Sequence, residues 1–221
     1  MKTHYQNIFI PLLKKFLFSF LFSLIGYLSY SQVSLGVKSG INIATTKDLI
    51  AYPKNRIGWY AGGFATIPLH KKFFLQTELL YSSKGDGVNQ SNIPKTILKF
   101  NYLNVPILFG YNIDHRTSLV FGPEFGYRTS SHMLYDNNEN FNVTKNYSPR
   151  VDAGLDIGLN YNVIKNIGIE VRYNYGFKIL YYIDGAGVRH TETKGANRVF
   201  QIGLNYLFLN KIFHQNKKFT K

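Results

Sequence analysis

The feature that most constrains this chain is an alternation of apolar and polar residues that recurs along the sequence from Val33 to Phe208. Between Val151 and Val163, every odd position is apolar and every even position is Asp, Gly or Asn. Successive side chains of a β-strand point to opposite faces, so a period of two places the apolar set on one face and the polar set on the other. The chain is therefore predicted to be all-β.

Eight such segments follow one another, and the connectors between them alternate in length. The predicted strands are Val33–Ile43, Ile57–Ile67, Phe73–Ser83, Leu98–Asn112, Thr117–Arg128, Arg150–Val163, Ile167–Leu180 and Asn197–Phe208. The short connectors are 68–72, 113–116 and 164–166, and the long ones are 44–56, 85–97, 129–149 and 181–196. Such alternation predicts an up-and-down, eight-stranded antiparallel transmembrane β-barrel with four long outer loops and three short periplasmic turns.

Polar residues on one face of these segments predict a filled interior. An eight-stranded barrel is just wide enough to be filled by its own side chains. By parity, the polar network of the lumen is predicted to comprise Lys38, Glu78, Glu124, Asp152, Asp156, Glu170 and Arg172. Because unpaired charges in a narrow lumen are costly, these groups are expected to form ion pairs and hydrogen bonds with one another. The consequence is a plugged barrel without an open diffusion pore.

Two rows of aromatic residues favour a membrane location over the alternative fold, a soluble β-sandwich or lipocalin-like barrel. The row toward the long connectors contains Tyr60, Tyr81, Tyr127, Tyr175 and Tyr181. The row toward the short connectors contains Phe73, Tyr111, Tyr161, Tyr206 and Phe208. Such rows are typical of the aromatic girdles that lie at headgroup level. Within the fourth segment, Pro106 cannot donate to a strand ladder and predicts a β-bulge.

Both ends of the chain differ from the alternating region. Residues 1–31 contain Lys2, Lys14 and Lys15, followed by an uncharged run at 16–28, which is typical of a secretory signal cleaved before Gln32. An uncleaved helical anchor is the alternative. Residues 32–208 are then the barrel, and 209–221 a basic periplasmic tail; alternatively, the last strand extends toward Phe213.

The positive charge indicates the class of partner. The formal net charge is +14, and the three lysines of the signal segment leave +11 on the remainder. The basic residues are scattered and form no nucleic-acid-binding motif, so outer-membrane lipid headgroups and lipopolysaccharide phosphates are the predicted partners, and no nucleic acid is expected. The alternative that the positive charge serves only to keep the protein soluble is left open. Because the chain has no cysteine, disulfides, thiolate nucleophiles and cysteine zinc sites are excluded.

Five blocks of sequence resemble a known family. They are Val37–Asn42, Gln76–Gly85, Tyr102–Pro106, Phe121–Gly126 and Phe200–Phe208. In composition and order these blocks resemble the outer-membrane β-barrel family named after PorT. The resemblance implies an outer-membrane barrel of a Gram-negative bacterium and supplies no catalytic residues. It also implies a second functional hypothesis, an accessory role in type IX secretion or gliding, with which the PorT branch is associated.

No motif for a cofactor or a metal is present, so none is expected. Ser130, Ser131 and His132, with Asp136 or Glu139 as the orienting acid, support a third hypothesis, a lipid A modifying acyl hydrolase or transferase. Coincidence in a polar loop is the favoured alternative. His190 and Glu192 supply only two of the three or four ligands that a metal site needs. The stretch 84–87 is interpreted as a turn.

Aromatic residues in the long connector 129–149 are candidate contact groups. Tyr135, Phe141 and Tyr147 lie among asparagines there, and aromatic residues on outer loops commonly contact proteins or sugars. Alternatively, the same rings pack the loop onto the barrel rim. The first functional hypothesis is therefore a non-enzymatic outer-membrane barrel, whose loops contact a partner outside the cell or whose turns and tail contact a periplasmic protein.

Overall fold

The computed structural model describes residues 33–47, 53–90, 93–135, 139–177 and 180–209. The predicted signal segment 1–31 and residues 210–221 of the predicted tail lie outside these ranges. The strands are β1 Ser34–Lys47, β2 Pro53–His70, β3 Phe73–Gln90, β4 Ile93–Asn112, β5 Thr117–Tyr135, β6 Asn140–Asn142, β7 Tyr147–Ser148, β8 Val151–Ile164, β9 Ile167–Gly176, β10 Leu180–Ile183 and β11 Arg189–Leu209. A single 3₁₀ turn is described, at Thr144–Asn146. Within these ranges, no helix has both the length and the hydropathy needed to cross a membrane.

Eight of the strands form a closed antiparallel barrel, as the alternation predicts. The first five strands, β1 to β5, are neighbours in chain order. In the barrel, β8 then pairs with β5, β9 with β8, and β11 with β9. Pairing of β1 with β11, for example Gly40 opposite Gly203, closes the barrel. Closure satisfies the backbone groups that an open edge would expose to hydrocarbon. The eight-stranded barrel is therefore confirmed.

The two faces of the wall are chemically opposite. In β9, Ile169 and Val171 are exposed on the outside, whereas Glu170 and Arg172 are buried inside. Along β8, Ile157 is 55% exposed and the adjacent Asp156 is fully buried. A soluble barrel buries its apolar face, so the observed arrangement matches a wall surrounded by lipid.

The two ends of the barrel differ in how well the sequence predicts them. At the lower end, the end of the short turns, the strands are joined by 71–72, 113–116 and 165–166. At the upper end, the described parts of the predicted loops 44–56 and 85–97 are strand, since β1 continues to Lys47, β2 begins at Pro53 and β3 continues to Gln90. The predicted turn at 84–87 is part of β3. The hydrogen bonds between strands are made by the backbone and do not require alternating apolar side chains. The polar stretches at the upper end can therefore continue the sheet beyond the alternating region.

Pro106 causes no bulge. Val105 pairs with Phe125 and Phe109 with Phe121, which is the same register on both sides of the proline. The missing N–H removes a ladder hydrogen bond but adds no residue to the strand, so the register is kept. The register of β4 against β5 shifts between Asn101 and Tyr102 instead.

Candidate functional site

Five of the seven predicted lumen residues form one ionic cluster. Arg172 donates from Nη2 to Glu78 Oε1 at 2.8 Å and from Nη1 to Glu78 Oε2 at 2.9 Å. Such bidentate pairs have both strength and fixed geometry. Lys38 Nζ donates to Glu78 Oε1 at 2.9 Å and to Glu170 Oε2. Asp156 joins the cluster through Oδ2, 3.5 Å from Arg172 Nη1.

A second ion pair lies above this cluster and includes a residue that the sequence analysis missed. Lys84 Nζ donates to Glu124 Oε1 at 2.7 Å. Asn174 connects the two levels, since its Nδ2 donates to Asp156 Oδ1 at 2.6 Å and to Glu124 Oε1 at 3.2 Å. Even-numbered residues of β3 point inward, and Lys84 follows Glu78 in this series. The alternation therefore indicates an inward Lys84, whereas the sequence analysis interprets this residue as part of a turn.

Asp152, the remaining predicted member, lies apart from these ion pairs. Its Oδ2 accepts a hydrogen bond from Asn197 Nδ2 at 2.5 Å. Tyr60, predicted to lie in the outer girdle, instead points inward and donates to Glu170 Oε1 at 2.6 Å. A Cβ on Gly203 would lie 2.0 Å from the Tyr60 hydroxyl oxygen, so only glycine fits there. Trp59 takes the girdle position, with its ring 5.4 Å from that of Tyr81.

Apolar clusters lie in the lumen above and below its charged centre. The lower cluster consists of Phe74, Leu108 and Val120. The upper cluster consists of Leu98, Phe100, Tyr102, Tyr147 and Leu180. Arg128, also missed by the sequence analysis, is fully buried beneath the upper cluster, where it donates to the Tyr147 carbonyl oxygen. Its guanidinium lies 5.6 Å from the centre of the Phe100 ring. Buried side chains therefore occupy the lumen at its charged centre, below it and above it.

The connector between β5 and β8 folds over the upper rim, and its aromatic residues divide by role. Tyr147 is only 5% exposed, with its ring 5.1 Å from that of Phe100, so it packs the connector onto the barrel rather than offering a contact. Phe141 is 50% exposed and meets the half-buried Tyr135 edge to face. Beside this segment is a polar cleft of about 520 Å³, lined by Thr129, Ser130, Asn142, Thr144, Lys145, Asn146 and Arg150.

Residues 26–181 match the family described as outer membrane protein beta-barrel domain. The chain belongs to this family. Its location is accordingly the bacterial outer membrane. The match spans the predicted strands one to seven and includes the last residues of the predicted signal segment.

Several solved outer-membrane barrels are similar to the chain at low sequence identity. Ail of Yersinia pestis, solved with the heparin analogue sucrose octasulfate, is 16% identical, with 80% of this chain and 99% of Ail covered and a TM-score of 0.46. Neisserial surface protein A is 13% identical, with 80% and 98% covered and a TM-score of 0.48. OprG of Pseudomonas aeruginosa is 11% identical, with 80% and 94% covered and a TM-score of 0.39. No curated protein matches the chain.

The serines and the histidine predicted for an acyl hydrolase are not brought together. Ser130 Oγ accepts a hydrogen bond from Asn101 Nδ2 at 2.9 Å, and His132 Nδ1 lies 3.0 Å from Asn140 Oδ1. Ser131 points to the opposite face of β5 from both. Among the described residues, no hydrogen bond joins either serine to His132, whereas an activated nucleophile requires one. Asp136 lies outside the described ranges.

The fourth upper connector contains a histidine–carboxylate pair. His190 Nε2 lies 3.1 Å from Asp184 Oδ2. The side chain of Glu192 lies outside what the structure describes. In the described part of the chain, no three His, Cys, Asp or Glu side chains are placed to hold a metal ion. The Val188 amide and His190 donate to Asp184 and hold the pKa of its carboxyl group below the usual range.

Proposed function

We propose that this protein is a non-enzymatic outer-membrane barrel that acts through contacts at its upper rim and not by transport through its lumen. The observation that carries the proposal is the filling of the lumen: an ionic cluster at its centre lies between the apolar clusters around Leu108 and Phe100. A solute crossing the barrel would have to displace both apolar clusters and separate buried ion pairs.

The upper rim supports the other half of the proposal. β5 continues to Tyr135, well past the 9–11 residues that a strand needs to cross a bilayer. The connector that follows is folded, and the exposed Phe141 lies on it. Exposed aromatic residues on outer loops are frequent contact groups. A partner of the rim is therefore a macromolecule outside the cell.

Two cysteine variants test the orientation of the barrel, and the purified protein tests pore closure. Because the chain has no cysteine, Phe141→Cys and His115→Cys each introduce a single thiol. A membrane-impermeant maleimide should label Phe141→Cys on intact cells and His115→Cys only after lysis. The purified protein should show no sustained conductance steps in planar bilayers. Labelling of position 115 alone, or stable large channels, would contradict the proposal.

The function itself is tested by complementation. A deletion strain is complemented with the full chain, or with a variant in which 139–146 is replaced by a Gly-Ser linker that leaves Tyr147 in place. The matched control replaces the lower turn 113–116. We expect phenotypes of the deletion to be restored by the control but not by the rim variant. Restoration by the rim variant would refute a rim contact. If the deletion strain loses type IX secretion or gliding and the rim variant does not restore it, the rim would be assigned to the accessory role.

A further inference from the structure

The apolar outer surface of the barrel ends at a defined level between β5 and β8. Lipid-facing residues of β5 are apolar up to Tyr127, and the next outward residue is Thr129. On the neighbouring strand, the exposed Val151 lies opposite Tyr127, and Arg150 precedes it. The change from apolar to polar residues on both strands, at an exposed tyrosine, marks the headgroup level of the membrane.

The polar cleft lies directly above this level. Thr129 and Arg150 line it, and Arg150 Nη1 lies 3.4 Å from the Tyr127 hydroxyl oxygen, which connects the cleft to the aromatic girdle. Its volume of about 520 Å³ is within the usual range for small-molecule sites. A group bound there would therefore occupy the headgroup layer while its attached chains remained against the apolar wall.

The lining of the cleft is basic and supplies hydrogen-bond donors. Its charged residues are Lys145 and Arg150, and no carboxylate lines it. Among the described residues, Lys145 has no hydrogen-bond or ion-pair partner, and Arg150 has no carboxylate partner. Asn142 uses its carbonyl oxygen to accept from the Thr144 amide at 3.0 Å, which leaves its NH₂ group as a donor. A ligand that matches these groups is an acceptor with negative charge.

Backbone hydrogen bonds fix the segment that forms the cleft. The Val143 amide donates to the Ser131 carbonyl oxygen at 3.0 Å, and the Asn146 amide to the Val143 carbonyl oxygen at 3.0 Å. At the other side, the Arg128 amide donates to the Arg150 carbonyl oxygen at 2.7 Å. Binding to a preorganised site loses less conformational entropy than binding to a flexible loop.

We infer that this cleft binds the phosphate-bearing sugar headgroup of an outer-leaflet lipid. Lys145 and Arg150 contact the phosphate, and Asn142 and the hydroxyl groups of the lining contact the sugar. The position beside Tyr127 favours a lipid over a free sugar phosphate, because the acyl chains of a lipid gain contact with the apolar wall next to the cleft. The cleft shares Asn142 and residues 144–146 with the rim segment proposed above, but lipid binding by the purified barrel is measured separately from complementation, so either proposal can fail without the other.

Binding of bisphosphorylated lipid A to the purified barrel in zwitterionic detergent tests the inference. Arg150→Gln and Lys145→Gln should each raise the dissociation constant about tenfold, the effect of losing one charge-assisted hydrogen bond. Arg150→Lys should retain more affinity than Arg150→Gln. The matched control is Arg116→Gln, which removes an exposed charge from a lower turn and should change the affinity less than about twofold. Heat-dependent gel mobility verifies that each variant is folded.

Two further ligands distinguish the possible sources of the phosphate. Dephosphorylated lipid A should bind much more weakly than lipid A, and glucose 1-phosphate, which has the sugar phosphate without the chains, should also bind weakly. Equal binding of the dephosphorylated lipid would overturn the phosphate contact. Equal binding of glucose 1-phosphate would overturn the assignment to a lipid. Unchanged affinity in both Arg150→Gln and Lys145→Gln would overturn the site.

Discussion

The membrane-level wall and the upper rim are built from the same strands but obey different constraints. In β9 exposure alternates strictly over ten residues, because lipid lies on one side and the polar lumen on the other. Above Tyr127 and Val151 the outer side of the sheet no longer faces lipid, and the short strands β6, β7 and β10 have three, two and four residues. Lipid on one side and polar groups on the other impose an alternating pattern on the wall, whereas the structure of the rim depends on individual contacts such as those of Tyr147.

The largest effect is expected in the lumen. Arg172→Met removes the guanidinium that binds Glu78 and approaches Asp156, and it leaves several buried carboxylates with Lys38 as their main partner. Removing one partner of a buried ion pair costs about 3–5 kcal/mol. Urea unfolding from lipid vesicles, followed by the fluorescence of Trp59, the only tryptophan, measures the loss.

The control for this variant is Arg116→Met in a lower turn, where the side chain is exposed and the expected change is within about 0.5 kcal/mol. If Arg172→Met cost no more than the control, the buried cluster would not stabilise the barrel, and the contrast between lumen and surface would fail.

The next largest effect is expected on the lipid face, and adjacent residues of β8 provide the comparison. Ile157 points into hydrocarbon, so Ile157→Arg should cost about 2–4 kcal/mol. Asp156→Asn keeps the shape of the side chain and part of its bonding to Asn174, so about 1 kcal/mol is expected. Refolding into lipid vesicles and into plain buffer is compared for both variants and the wild type. Native folding in buffer, or a larger defect for Asp156→Asn, would contradict a lipid-facing wall.

The wall was predictable from the sequence because parity alone assigns its side chains. Glu78, Glu170 and Arg172 were assigned to the lumen by position, without knowledge of their partners. The predictions were wrong where an expected turn or girdle took precedence over parity. Lys84 was assigned to a turn, and Tyr60 to the outer girdle although it shares the inward side of β2 with Phe64.

The rim was not predictable in the same way. Burial of Tyr147 depends on Phe100 of β4, Leu180 of β10 and Arg128 of β5, which come together only when the barrel is closed. No local pattern distinguishes Tyr147 from the exposed Phe141 six residues before it. The cleft beside them likewise combines residues from the end of β5 with the connector, so its charge could not be read from sequence spacing.

Within the rim, a pair of matched substitutions tests this division of roles. Tyr147→Ala removes a ring that packs on Phe100 and Tyr182, and it should cost about 1–2 kcal/mol, in the range of ordinary packing losses. Phe141→Ala removes an exposed ring and should change stability by less than about 0.5 kcal/mol. The free energy of unfolding in lipid vesicles gives both values. Equal effects would mean that the connector does not pack as a unit.

The smallest effect concerns the turn at Asp184, whose contribution depends on pH. Asp184 Oδ1 accepts from the Val188 amide at 2.9 Å and from the Ala186 amide at 3.0 Å, and Oδ2 contacts His190. The Val188 amide, then His190, stabilise the carboxylate and lower the pKa of Asp184 from its reference value of 3.8. A lowered pKa means that the turn is stabilised above the unfolded-state pKa and that the stabilisation is lost as pH falls through the folded-state pKa.

Chemical shifts of the Val188 amide, recorded by NMR against pH, should therefore titrate with a midpoint below that of an unfolded peptide spanning 182–190. His190→Gln removes the imidazole that donates to Asp184 Oδ2, so the midpoint should rise toward the peptide value. Asp184→Asn keeps an oxygen acceptor for Val188 and should abolish the titration while leaving the turn formed at neutral pH. A wild-type midpoint at or above that of the peptide would show that these donors do not stabilise the carboxylate, and this part of the rim would then be held by its backbone contacts alone.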